Sequence, residues 1–149
     1  MTLLPILAGL GATLLTALAV TPAASRTPDL TGTYRIVSGE KNGAAVPQAN
    51  IEDTVVEITR DRIVVTDRDQ KETYSASYTL DATQTPWRIA MVSRRAPEEN
   101  VEATGLIEKK GDTVRLIYAL PGGETPTEFK TGPQQLLFVM KAADAAPAR

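Results

Sequence analysis

The chain contains no cysteine and no histidine. Without Cys it forms no disulfide, no thiolate metal site and no acylated lipoprotein anchor, so a folded domain must rest on its hydrophobic core alone. Without His it has no Ser-His-Asp triad, no imidazole metal ligand and no imidazole acid–base catalyst. Aromatic residues make up only 5% of the chain, and Trp87 is the single tryptophan. The 16 basic and 18 acidic residues nearly cancel, for a formal net charge of −2. With no basic stripe and few aromatics, nothing points to nucleic acid. A length of 149 residues suits one domain and hardly two.

The first charged side chain is Arg26. Before it, "LLPILAGLGATLLTALAV" is apolar apart from small residues, and "TPAAS" follows. This reads as a secretory signal, with Ala23 and Ser25 at the positions a signal peptidase inspects. Residues 1–25 are expected to be removed near Ser25–Arg26. No Lys or Arg precedes the apolar run, and its length approaches the ~20 residues that span a bilayer. An uncleaved N-terminal anchor is therefore the alternative. Either way the protein is expected to be exported, to the periplasm, the cell envelope or the medium. Membrane contact is expected only through this segment, if it stays attached.

From Pro28 onward the signals are those of strands. "TGTYRIVS" alternates, with Tyr34, Ile36 and Ser38 on one face and Arg35 and Val37 on the other. "GEKNGAAVPQANIED" reads as a long loop. "TVVEIT" places Val56 and Ile58 together, and the polar turn "RDR" leads to "IVVTD". The clearest period of two is "ETYSASYTL", with Tyr74, Ala76, Tyr78 and Leu80 on one face. "WRIAMVS" sets Trp87, Ile89 and Met91 together. In "EATGLIEKKGDTVRLIYAL" two strands flank Lys110-Gly111-Asp112, where Gly111 supplies the positive φ of a tight hairpin. "PGGETPTEFKTGPQQ" is a loop and "LLFVMK" the last strand. The tail "AADAAPAR", residues 142–149, has nothing to bury and is expected to be disordered.

About eight short strands joined mostly by short turns give an all-β domain over residues 28–141. Short turns make neighbours antiparallel, and closing an eight-stranded meander removes both bare edges. The expected fold is a small lipocalin-like up-and-down antiparallel barrel, with an open sandwich as the alternative. Ile36, Val56, Ile58, Tyr78, Leu80, Trp87, Ile89, Leu116, Tyr118 and Phe138 are expected to face inward. Thr73, Ser75, Ser77, Arg88 and Arg115 are expected to face solvent.

Four pieces then carry a resemblance: "DLTGTYRIVSGEKNGAAVP", "YTLDATQTPWRIAM", "GLIEKKGDTVRLIYAL" and "TPTEFKTGPQQLLFVMK". In order and spacing they resemble the exported, uncharacterised lipocalin-like domain family of planctomycete type, over about residues 28–141. Two positions depart from its pattern. Tyr34 stands where that family commonly has Trp, and Thr125 precedes Pro126 where an Arg is usual. The resemblance implies a lipocalin-like barrel whose first-strand aromatic plugs one end, and export. It implies no reaction and no cofactor.

Candidate sites are few. If the apolar faces point inward, Tyr34, Tyr74, Tyr78, Trp87 and Tyr118 line the interior, where aromatics with a polar handle suit a small apolar or amphipathic ligand, with Tyr34, Tyr78, Trp87 and Tyr118 as the candidate contacts. The competing reading is that they fill the core, since an eight-stranded barrel is just wide enough for side chains. Asp53, Glu57, Asp61, Asp67 and Glu72 alternate with Arg60, Arg62, Arg68 and Lys71, as a solvated, ion-paired surface does. Arg94-Arg95, a conceivable anion site, lies near Glu98, Glu99 and Glu102. No metal site, cofactor or activated nucleophile is marked. The sequence thus favours a non-catalytic binder of a small apolar ligand, against a cell-envelope interaction or scaffold module with a filled barrel. An enzyme is the least favoured class.

Overall fold

The computed structural model describes residues 28–95 and 99–143. The expected signal segment and most of the expected tail lie outside the described residues. The fold is a closed eight-stranded antiparallel β-barrel of the lipocalin-like, up-and-down kind. Its strands are β1 (Gly32–Lys41), β3 (Val55–Ile58), β4 (Arg62–Thr66), β5 (Glu72–Asp81), β6 (Trp87–Ser93), β7 (Glu102–Lys110), β8 (Thr113–Ala119) and β9 (Gln135–Ala142). Each pairs with the next, and β1 closes on β9. Two small elements sit in the loop after β1: β2 (Ala44–Ala45), which pairs with the end of β1, and a single-turn helix α1 (Gln48–Ile51). The reading of 39–53 as plain loop missed both.

The alternation read from the sequence sets the interior. Ile36, Val56, Ile58, Tyr78, Ile89 and Leu116 are buried in one core, and Leu80, Trp87, Tyr118 and Phe138 pack against it half-buried. β1 departs from simple alternation. A bulge between Ile36 and Ser38 puts Ser38 on the outside and turns Gly39 inward. A Cβ at Gly39 would lie 3.3 Å from the Phe138 ring. Ser38 therefore does not share a face with Tyr34 and Ile36, because one extra residue reverses every later side chain.

The outside carries a second, smaller core of Leu106, Ile117 and Leu137, covered by Phe129 from the loop between β8 and β9. Arg115 lies 4.4 Å from the centre of the Phe129 ring and pairs with Glu108. It is thus half-buried under an aromatic cover rather than solvated. Thr125, at the position where an Arg was anticipated, shares a hydrogen bond of 2.7 Å with the hydroxyl of Thr104 on β7. The same loop is latched to the β1–β2 hairpin. The Thr131 amide and hydroxyl donate to Glu40, and the Gln134 amide donates to Asn42 at 2.9 Å. The two Thr131 bonds hold the Glu40 carboxyl below its ordinary range.

Other outward assignments shift for similar reasons. Arg88 is exposed as expected. Ser75 is buried, at 5% exposure, and its carbonyl accepts from the Arg94 amide. Ser77 is half-buried, and Arg94 Nε donates to its hydroxyl at 3.1 Å. Arg95 lies 4.0 Å from Glu72. The two adjacent arginines are thus engaged with β5. At the C-terminal side, β9 runs through Ala142, and the Ala143 amide donates to Thr33.

The hairpin between β7 and β8 has the anticipated geometry, with Gly111 at φ +61°. A Cβ there would meet no atom within 4 Å, so only backbone strain opposes a side chain. Gly111→Val is expected to cost about 1 kcal/mol or more, because β-branched residues avoid that region. Urea unfolding checks this, and an unchanged midpoint would contradict the turn assignment.

Candidate functional site

The two barrel ends are built differently. At one end lie the lead-in Pro28–Thr31, the β3–β4 turn and the β7–β8 turn. There the Tyr34 ring folds back over Gly32, 3.6 Å from where a Cβ would stand, and is only 1% exposed. Its hydroxyl donates to the Leu30 carbonyl at 2.8 Å, and Leu30 is equally buried. Asp29 fixes the lead-in by accepting from the Thr31 amide and hydroxyl, which lowers the Asp29 carboxyl below its usual value. Tyr78 donates to the Thr59 carbonyl at 2.6 Å. Burial, with Asp29 and Asp61 adding to it, raises the Tyr78 phenol above its ordinary value, so it serves as a neutral donor. This end is plugged by side chains.

The opposite end is not filled. A cavity of about 340 Å³ runs into the barrel there. Its wall is apolar: Ile36 from β1, Val56 from β3, Ile63 and Val65 from β4, and Met91 from β6. Leu116 and Tyr118 from β8, with Phe138 and Met140 from β9, complete it. α1 adds Ile51, which is 4% exposed and reaches into the core. The rim is polar, made by Asn50, Thr54, Asp67 and Thr73, with Tyr74 beside them. Thr73 reaches the rim through a second bulge. Val65 pairs with Tyr74 but Thr66 pairs with Glu72, so Thr73 is the extra residue. It is exposed, as expected, yet turned to the cavity mouth.

Of the four candidate ligand contacts, only Tyr118 lines this cavity. Tyr34 and Tyr78 hold the plugged end, and Trp87 packs half-buried against the core. Tyr74, expected inside with the other aromatics, also lines the cavity, and the sequence reading missed Ile51. Ile51 sits in a long loop, and four helical residues are too few to show a 3.6-residue period. Its signal was its isolation, a large apolar residue among polar ones in a loop too long for a simple connection. Among the described residues, no group of three or more carboxylates, His or Cys is arranged to hold a metal ion. No family model, curated protein or solved structure matches this chain. The fold is compatible with binding small molecules in general.

Proposed function

We propose that this protein is a non-catalytic carrier or sensor that holds a small apolar or amphipathic molecule in the open half of its barrel. The observation that carries this reading is the cavity. Its volume lies within the ~300–1,000 Å³ typical of small-molecule sites, and an apolar wall with a polar rim is the usual lining. A scaffold module would need an unsatisfied outer surface. The outer apolar cluster is instead covered by Phe129, and the exposed large hydrophobic residues among those described are Val37 and Val101. The reading includes export, supported by the apolar start and the small-residue boundary at Ala23 and Ser25. It also includes kinship with the planctomycete-type lipocalin-like family, supported by the four sequence pieces.

Native mass spectrometry of the protein from its native host tests both parts. The expected species begins near Arg26 and carries one non-covalently bound small molecule. A mature chain beginning at Met1 or Thr2 opposes removal of the leader. A ligand-free chain that also takes up no added decanol opposes the binding role.

A further inference from the structure

The rim has a chemical bias. Among the described residues lining the cavity, Asp67 is the one carboxylate, and none is a Lys or Arg. It opens the turn between β4 and β5, half-buried, and its Oδ1 accepts from the Asp69 amide at 2.9 Å and the Lys71 amide at 3.0 Å. Those two bonds fix the carboxylate in place. Its Oδ2 takes no hydrogen bond among the described residues. Neighbouring cations do not offset it within the cavity. Arg68 is exposed and lies 4.0 Å from Glu52, Arg95 is exposed and lies 4.0 Å from Glu72, and exposed Lys71 does not line the wall.

We infer that the cavity prefers amphipathic ligands with a cationic, hydrogen-bond-donating head, such as a protonated primary amine, and disfavours those with a carboxylate head. The inference rests on the binding role proposed above and adds the head group to it. An apolar tail fills the wall of Ile63, Leu116 and Met140, while the head sits at the rim. At ~30 Å³ for each water-sized unit, 340 Å³ accommodates a tail of roughly ten carbons. An ammonium at the rim donates to Asp67 Oδ2, a charge-assisted bond to an acceptor already held in position. A carboxylate there meets a like charge in a partly desolvated mouth, which is repulsive.

Calorimetric titration with decylammonium, decanol and decanoate, below micelle formation at neutral pH, tests this with one tail and three heads. Decylammonium is expected to bind about tenfold or more tighter than decanoate. Asp67→Asn keeps the Oδ1 acceptor of the turn and removes the charge. It is expected to shrink that ratio to about threefold or less while the variant still binds decanol. Asp67→Ser, whose hydroxyl can serve the same turn, repeats the test should the Asn variant not fold. Decanoate binding as tightly as decylammonium, or an undiminished ratio in a folded variant, overturns the head-group preference. Binding of decanol alone overturns the preference and leaves the cavity in use, whereas failure of all three overturns the binding role itself.

Discussion

Gly105→Ala is expected to remove a large share of the protein's stability. Gly105 lies in β7 opposite Tyr118 of β8. A Cβ at this position would stand 1.9 Å from the Ile117 carbonyl oxygen and 2.8 Å from the Tyr118 Cα. Both are backbone atoms, so no side-chain rotation relieves the clash. The strands would have to part beside Leu106–Ile117 and Ile107–Leu116, pairs that are buried on the outer and inner faces respectively. Ordinary overpacking costs about 1–3 kcal/mol. Forced separation of a closed barrel exceeds that, and a loss above about 4 kcal/mol is expected, against total stabilities of ~5–15 kcal/mol. Circular dichroism and urea unfolding followed by Trp87 emission read the effect. A variant whose midpoint moves by less than about 0.5 M urea would contradict this account of β7 and β8.

The second large effect is expected at the plugged end. Tyr34→Ala removes a buried ring from beneath the barrel and leaves the Leu30 carbonyl without its donor. Truncating a large buried aromatic costs about 3–5 kcal/mol. Tyr34→Phe keeps the ring and loses only the hydrogen bond, for about 1 kcal/mol. The two variants together separate packing from hydrogen bonding in the same urea titration. Equal losses in both would mean that the hydroxyl, not the ring, closes the barrel. Trp87, half-buried, is expected to lose less on truncation than Tyr34 does.

The difference between these two residues shows what the sequence can and cannot convey. Period-two alternation fixed the inward face of β5, β6 and β8, because successive side chains of a strand point to opposite faces. Alternation says nothing about depth along the strand. Tyr34, Tyr78, Trp87 and Tyr118 all point inward, yet the first two cap the plugged end and only Tyr118 reaches the cavity. Depth depends on which strand ends lie together, and that follows from topology and register rather than from composition. The bulges at Ile36–Ser38 and at Thr73 were equally invisible, because one inserted residue leaves no mark in a local pattern. The outer core escaped notice for a different reason. Leu106, Ile117 and Leu137 belong to the outward phase of their strands, and what covers them, Phe129, comes from a loop rich in Pro and Gly. In such a loop a lone aromatic carries no periodicity. Asp67 was visible only as one carboxylate in an alternating charged stretch. Its place at the rim comes from the meeting of the β4–β5 turn with α1 around a single opening.

The central claim is that the open half of the barrel, and not its outer surface, takes up a small molecule. Methyl NMR during a titration with decanol tests it most directly. The methyl signals of Ile51, Ile63, Leu116 and Met140, all on the cavity wall, are expected to move saturably together. Those of Leu106, Ile117 and Leu137, on the covered outer face, are expected to stay in place. Movement confined to the outer cluster, or no movement at either set at saturating decanol, would contradict the claim.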